Sequence, residues 1–447
     1  MQKLMGFLHR RRRNPSAHDP AAVSLFSGAG LSDLGYALAG FRFCAQVEIR
    51  ELRAAIGGRN FSESEWITGD VNQSRDDVVR ACRRRGVKRL DLLVATPPCQ
   101  GLSSSNPSRG KRKTPKATVH DEKNSLVLSL VPIAEAMRPR VIVTENVRQI
   151  RTHTVSEDGR ELRVLDALAE RLPEYRFFET TVNVADYGIP QTRYRALAVG
   201  VHVDEPWLTC LRAKSKAPWP KPTHAQRPYK GRLPWLTIRE WLETCQYPPL
   251  SSRSPQEARN GHPLHFVPHY EHDRFLLVNH IPAMSGRSAY ENALCPDCGR
   301  QPVPLGVAVC DRCGRPMRNR PIVLEKGTPR LVKGFASSYR RMKPDEPSPT
   351  VTTNSSHIGS DNKIHPWEDR VLSILECADL QTVPRFFDWS AATEANRMYL
   401  VRNLVGEAFP PFFTHLHGRV LLRLLKTCKT AFRGLATYRK CESSRGS

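Results

Sequence analysis

The residues best suited to chemistry in this 447-residue chain stand just past short apolar runs. Cys99 follows Leu92-Leu93-Val94-Ala95-Thr96-Pro97-Pro98. The four apolar residues predict a buried strand of the parallel-sheet kind, and the prolines stop it because proline offers no N–H to a ladder. In an open α/β sheet, ligands bind past the carboxyl ends of the strands, so a rigid element delivers Cys99 to that crevice. A thiol there is either a nucleophile or a buried structural cysteine. Glu145 directly follows Val141-Ile142-Val143-Thr144 and reaches the same crevice. It is a carboxylate for proton handling, or else an N-cap or a solvated loop acid. Arg193 and Arg195 flank Tyr194 just before Ala196-Leu197-Ala198-Val199. Alternation along an extended chain predicts both arginines on one face, as a cationic pair or as ordinary basic surface.

A second group of residues suits a small-molecule site. Val23-Ser24-Leu25-Phe26 leads into Ser27-Gly28-Ala29-Gly30 and then a helical segment. A glycine turn between strand and helix lets a ligand approach the backbone. The dinucleotide pattern wants a third glycine where Asp33 stands, which disfavours a pyrophosphate-bearing cofactor. Glu48 ends the next strand, at the distance where an acid accepts bonds from ribose hydroxyls. Asp70 beside Val71 is a further acid at a strand end or turn.

A third group binds metal. Cys295-Pro296-Asp297-Cys298-Gly299 and Cys310-Asp311-Arg312-Cys313-Gly314 are two C-x-x-C-G knuckles with the spacing of a four-thiolate zinc ribbon. Four thiolates leave no open coordination position, so the zinc expected at Cys295, Cys298, Cys310 and Cys313 is structural. A zinc deaminase is excluded because Cys99 has no C-x-x-C partner.

Strands and helices alternate from residue 21 to about 203, which predicts a doubly wound parallel sheet. Helices are expected over 31–39, 76–85, 124–137 and 162–172, with a loop over 101–120. Past 203, proline, tryptophan, histidine and basic residues dominate. The division predicted is a basic N-terminal arm (1–20), a catalytic domain (21–203), an irregular second domain (204–364) carrying the ribbon (295–314), a returning segment (365–436) and a tail (437–447). The run His9-Arg10-Arg11-Arg12-Arg13 reads as a solvated start or a phosphate-contacting arm. The formal net charge of +24 points to a polyanionic partner, nucleic acid first. No apolar run approaches the ~20 residues that span a bilayer, and no signal peptide is recognisable. Twelve cysteines, four of them in knuckles, suit a reducing compartment better than a disulfide framework.

Taken in order, Phe26-Ser27-Gly28-Ala29-Gly30, Pro97-Pro98-Cys99-Gln100, Glu145-Asn146-Val147 and Gln191-x-Arg193-x-Arg195 closely resemble the DNA cytosine-5 methyltransferase family. The resemblance covers roughly 22–203 and again 340–420. There the segment from Arg341 to Thr350 and the closing Gly406-Glu407-Ala408-Phe409-Pro410-Pro411 look like family motifs.

The resemblance implies a Rossmann-like S-adenosylmethionine-dependent fold with a target-recognition domain. It makes Cys99 the nucleophile that adds to cytosine C6. Glu145 then holds N3 and the exocyclic amine, Arg195 contacts O2, and Arg193 and Gln100 support the site. It assigns Phe26, Gly28, Gly30, Leu31, Glu48, Asp70, Val71 and Pro98 to the cofactor, S-adenosyl-L-methionine. The loop after Cys99, with Ser103, Ser105, Arg109, Lys111, Arg112 and Lys113, closes over DNA from which the cytosine is flipped.

The reading is a sequence-specific DNA methyltransferase of prokaryotic type. It is expected to be cytoplasmic and nucleoid-associated, monomeric and without a membrane partner, and to serve restriction–modification or another defence system. The alternatives are an RNA cytosine methyltransferase and a catalytically silent, zinc-bearing DNA-binding module. One departure stands out: the family's closing motif usually carries asparagine where this chain has Glu407.

Overall fold

A computed structural model describes residues 1–98, 126–212, 217–334 and 337–442, with side chains up to residue 426. Its centre is a seven-stranded sheet. The strands are β1 (Ala21–Leu25), β2 (Arg42–Glu48), β3 (Glu65–Thr68), β4 (Leu92–Ala95), β5 (Val141–Asn146), β8 (Tyr175–Asn183) and β9 (Tyr194–His202). A hairpin of β6 (Thr154–Glu157) and β7 (Arg160–Arg163) lies outside the sheet. The order is β3-β2-β1-β4-β5-β9-β8.

The first five strands are parallel, whereas β9 runs antiparallel to both β5 and β8. The sheet is therefore mostly parallel, not parallel throughout. Alternation of strands with helices cannot reveal the direction of a strand that follows its neighbour with no α-helix between them, as β9 follows β8 through residues 184–193. The strand order reverses at β1 and β4, so the glycine turn after β1 and the Pro97-Pro98 segment after β4 open into one crevice.

Residues alternate between two cores. Ala22, Leu92, Val94, Val141 and Val143 face one. Val23, Leu25, Leu93, Ala95 and Ile142 face the other. Both faces are buried, which is why these strands are almost continuously apolar. Helices α1 (Gln2–Leu8), α2 (Leu31–Ala39) and α13 (Pro411–Glu442) contribute to the first core. Helices α4 (Arg75–Arg84), α5 (Val131–Met137) and α6 (Val164–Arg171) contribute to the second. Helix α3 (Glu51–Asn60) follows Glu48.

Several expectations need correction. The first eight residues are not part of a solvated arm, although most of 9–19 is exposed. Leu4, Phe7 and Leu8 of α1 are buried, and Phe7 meets Phe412 edge-on at 5.2 Å. Arg12 pairs with Glu63 at 3.2 Å and Arg13 with Asp19 at 2.6 Å, so these cations are neutralised by the protein itself. Helix α6 starts at Val164 because 160–163 is taken by β7. Of the helix expected over 124–137, residues 126–130 form a tight 3-10 turn that leads into α5. The tail expected from 437 begins inside α13, where Ala, Arg and Lys are good helix formers and no proline intervenes.

The first core does not stop at residue 204. Trp207, Leu208 and Leu211 at α7 (Leu208–Arg212), and Ile238, Trp241 and Leu242 of α8 (Ile238–Cys245), belong to it. Beyond α8 the buried clusters are small. Helix α9 (His272–Asn279) and the hairpin of β12 (Ile322–Glu325) with β13 (Thr328–Leu331) are regular elements there, while the two-residue strands β10 (His224–Ala225) and β11 (Leu233–Pro234) pair in parallel ahead of α8. The chain then returns through α10 (Ile374–Leu380), α11 (Ser390–Glu394) and α12 (Met398–Glu407) to pack on the sheet. Among the described residues no helix is long and apolar enough to cross a membrane.

Candidate active site

The glycine turn is held from below and from the side. Phe26, the first residue after β1, has φ of 59°, a left-handed conformation rare for a bulky residue. Gly28 follows at φ 57°, and its N–H donates to Glu48 Oε2 at 2.9 Å. The other oxygen of Glu48 accepts from the Arg50 N–H at 2.9 Å. Glu48 is 6% exposed, and burial raises its carboxyl pKa against these donors and Arg53.

Gly30 has φ of 76°, and a Cβ on it would stand 2.6 Å from the Phe61 ring. Packing beneath the turn therefore demands this glycine. Leu31 and Val71 are buried in the two cores, so only their backbones can face a ligand. Asp70 accepts from the Asn72 N–H at 2.9 Å and caps the turn at 71–73, and Pro98 is exposed. Ile49 was missed by sequence reasoning. It is 65% exposed directly beside Glu48, where an apolar side chain suits the face of a flat heterocycle. Its signal was an apolar residue immediately after a strand-end acid.

Asp33 lies under the same turn. Its Oδ1 accepts from Ser24 Oγ at 2.9 Å and its Oδ2 from Gln46 Nε2 at 2.8 Å. Full burial pushes its pKa up to about 6. The native state thus binds this proton more tightly than the unfolded chain does. The group's contribution to stability is greatest at low pH, falls as pH rises from about 4 to about 6, and is constant above that. Asparagine would stay neutral, and its amide can donate to Gln46 Oε1, which has no hydrogen-bond partner, once that amide flips. Asp33→Asn should therefore gain on the wild type by about 2 kcal/mol between pH 4.5 and 7.5, read from urea unfolding at both values. A difference that does not change with pH would show that Asp33 does not titrate there.

Across the crevice, Glu145 sits near the end of β5, 9% exposed, with Arg195 Nε 2.9 Å from its Oε1. Burial raises the Glu145 pKa, and the charges of Arg195 and Arg193 oppose that rise. A carboxyl whose proton is held more tightly by burial, beside two guanidinium charges, is suited to proton transfer. Asn146 Nδ2 donates to the Pro97 carbonyl at 3.2 Å, which draws the Pro97-Pro98 segment alongside Glu145. Thr96 Oγ1 donates to the Phe26 carbonyl at 3.2 Å, tying the same segment to the glycine turn. Cys99, Gln100, Ser103, Ser105, Arg109, Lys111, Arg112 and Lys113 lie outside the described residues.

Arg193 turns to another task. It is fully buried and donates to the carbonyls of Val351 at 2.9 Å, Gly406 at 2.9 Å and Glu407 at 3.1 Å. It therefore positions the closing segment, and its charge reaches Glu145 only through space. Gln191 works beside it. Its Oε1 accepts from the Val351 N–H at 3.0 Å, and its Nε2 donates to Gln381 Oε1 at 2.8 Å. Gln381 in turn donates to the carbonyls of Val405 and Ala408. Gly406 comes so close to the backbone of Thr352 that a Cβ would lie 2.4 Å from its carbonyl carbon.

The four knuckle cysteines converge. Their sulfurs all lie within 4.8 Å of one another, and the Cys295–Cys313 and Cys298–Cys310 pairs are 3.8 Å apart. A tetrahedron of Zn–S bonds near 2.3 Å has edges of about 3.8 Å, so this donor set fits a zinc ion. Both knuckles repeat one turn: Gly299 N–H donates to the Cys295 carbonyl, and Gly314 N–H to that of Cys310. The fully buried Arg320 donates to the carbonyls of Asn292, Val303, Pro304 and Val307, which fixes the ribbon to its base.

The profile of C-5 cytosine-specific DNA methylases matches residues 21–416. The chain belongs to that family. It is a DNA cytosine-5 methyltransferase, and family membership brings S-adenosylmethionine as methyl donor and DNA as substrate. Type II methyltransferase M1.HgaI of Avibacterium volantium is 24% identical over 87% of this chain and 94% of its own length. Type II methyltransferase M.XorII of Xanthomonas oryzae is 25% identical over 91% and 85%. A solved structure described as a prophage-encoded DNA modification methyltransferase of E. coli superimposes with a TM-score of 0.53. It shares 19% identity over 91% of this chain and 99% of that one.

Within this methyltransferase, Glu407 reaches α3. Its carboxylate receives Arg53 in a two-point contact at 2.7 and 3.1 Å. The pair lies near Glu48, whose acidity both members influence. Glu407 is 42% exposed, and ion pairs so open to water contribute about 0.2–1 kcal/mol. Its backbone carbonyl, held by Arg193, is indifferent to the side chain. Glu407→Asn should then change the affinity for S-adenosylmethionine by less than about 1 kcal/mol in calorimetry. A tenfold loss would make Glu407 a direct cofactor ligand.

Proposed function

We propose that this enzyme is a sequence-specific DNA methyltransferase that uses Cys99 as a covalent nucleophile, within a Type II restriction–modification setting. The observation that carries the reading is the Glu145–Arg195 pair at the carboxyl end of β5, with the segment leading to Cys99 tied alongside it. Cytosine C5 is a poor nucleophile, and a thiolate adding at C6 turns the ring into an enamine reactive at C5. Glu145 grips N3 and the exocyclic amine and shares its proton as charge builds on the ring. Arg195, next to it, meets O2 and supplies positive charge. The burial that raises the Glu145 pKa suits this role.

Bound S-adenosylmethionine supplies an electrophilic methyl group. Glu48 takes the ribose, the backbone of Gly28, Gly30 and Leu31 approaches the methionine portion, and Phe26 and Ile49 flank adenine. Asp70 and Val71 meet the adenine edge, and Pro98 closes the pocket wall. Arg193 acts by positioning the closing segment. Cys295, Cys298, Cys310 and Cys313 hold one structural zinc, stiffening a recognition region that has little core of its own. The Type II relatives support the restriction–modification setting.

Bisulfite sequencing of bacterial DNA after expression of this chain tests the reading. Cytosine protection at one recurrent short sequence is expected. Methyl transfer confined to RNA, or none with either nucleic acid, would overturn it.

A further inference from the structure

Arginine in this protein is mostly spent on carboxylates. Arg140, Arg163, Arg171 and Arg370 each meet one at 2.9 Å or closer. Arg148 does not. It stands two residues past the end of β5, exposed, with no carboxylate partner among the described residues. Its guanidinium instead lies over the ring of Tyr194, 4.5 Å from the centroid.

Tyr194 is 40% exposed and sits between Arg193 and Arg195. In the β5–β9 register, Asn146 faces Ala196, so Tyr194 and Arg148 both extend beyond the strand end that carries Glu145. Two carboxylates of the flanking strands are engaged elsewhere: Glu145 of β5 faces Arg195, and Glu179 of β8 faces Arg151 at 3.2 Å. The site thus has, at its lip, a cation flattened on an aromatic ring, its N–H edges meeting no acceptor among the described residues.

A stacked guanidinium keeps its planar donor fork for an anion while the ring removes much of its side-chain freedom. Phosphate oxygens match that fork in a two-point contact. We propose that Arg148, mounted on Tyr194, grips a DNA backbone phosphate beside the flipped cytosine and so positions the nucleotide over Glu145. Both residues are positioning residues. The inference rests on the DNA-methylation reading above and adds to it a phosphate contact outside the cytosine pocket.

The test uses the full chain, phage lambda DNA and tritiated S-adenosylmethionine, with filter binding of the same DNA across a salt series. Arg148→Ala should raise KM for DNA about tenfold, the loss expected for one charge-assisted contact. It should flatten the slope of log affinity against log salt by about one and leave cofactor affinity unchanged. Arg148→Lys should restore the slope but only part of KM, because it keeps the charge without the fork. Tyr194→Phe, which keeps the ring, should behave as wild type, and Tyr194→Leu should raise KM. A wild-type salt slope in Arg148→Ala and Arg148→Gln would overturn the proposal even with methylation intact. Absence of DNA labelling by the wild type would instead overturn the parent reading, and the salt series would still decide the phosphate contact.

Discussion

DNA carrying 5-fluorocytosine in place of cytosine is expected to trap this methyltransferase as a denaturation-resistant complex. The expectation follows from the step assigned to Cys99. Its sulfur bonds to C6, C5 takes the methyl group, and the ring is restored only when C5 loses its proton and the C6–S bond breaks. Fluorine at C5 cannot leave as a cation, so the chain stays attached. Cys99→Ser should form no such adduct and should reduce methyl transfer below detection, since a serine hydroxyl is far less nucleophilic than a thiolate at neutral pH. DNA binding by this variant should remain near wild type, because Glu145, Arg195 and the basic surface are untouched. Failure of the wild type to form the adduct on DNA that it methylates would exclude Cys99 addition.

The second large effect concerns the ribbon. Purified protein should contain one zinc per chain. Cys298→Ser should lose it and open the 293–319 region to protease while the sheet keeps its affinity for S-adenosylmethionine. The ribbon's own buried cluster consists of Cys295, Val303, Cys310 and Met317, too little apolar surface to order a segment of this length. A structural zinc site supplies apparent binding free energy on the order of 10 kcal/mol, and that energy is folding energy. Chelation should produce the same cleavage in the wild type. Metal analysis that finds neither zinc nor iron, or a Cys298→Ser ribbon that resists protease as the wild type does, would remove the metal from the account.

Local signals in the chain led to most of the site. Glu48 and Glu145 stand at strand ends because short apolar runs precede them, and the structure brings both to one crevice with the Pro97-Pro98 segment. The knuckle spacing alone predicted the convergence of four sulfurs, since two tight turns separated by a short loop can hardly place their thiols elsewhere. Ile49 escaped notice because its one signal, an apolar residue right after a strand-end acid, does not show whether the side chain is exposed. In the basic run at residues 10–13, Arg12 and Arg13 meet carboxylates, and charge composition carries no information about whether a carboxylate waits nearby.

The amino-acid sequence by itself determined the strand–turn–helix units, the order of the motifs and the metal-binding spacing. All of these arise from neighbours within a few residues: alternation, proline stops, glycine turns and paired thiols. Tertiary structure alone decided the rest. It set the direction of β9, antiparallel to both β5 and β8, which depends on how the connection over 184–193 feeds the sheet. It sent Arg193 away from the crevice to carbonyls 158 and 213 positions along the chain. It joined Glu407 to Arg53 across 354 residues and laid Arg148 on Tyr194. A guanidinium has five donors and a long stem, so its partner is whichever acceptor or ring the folded chain brings within reach, and that identity is absent from any local pattern.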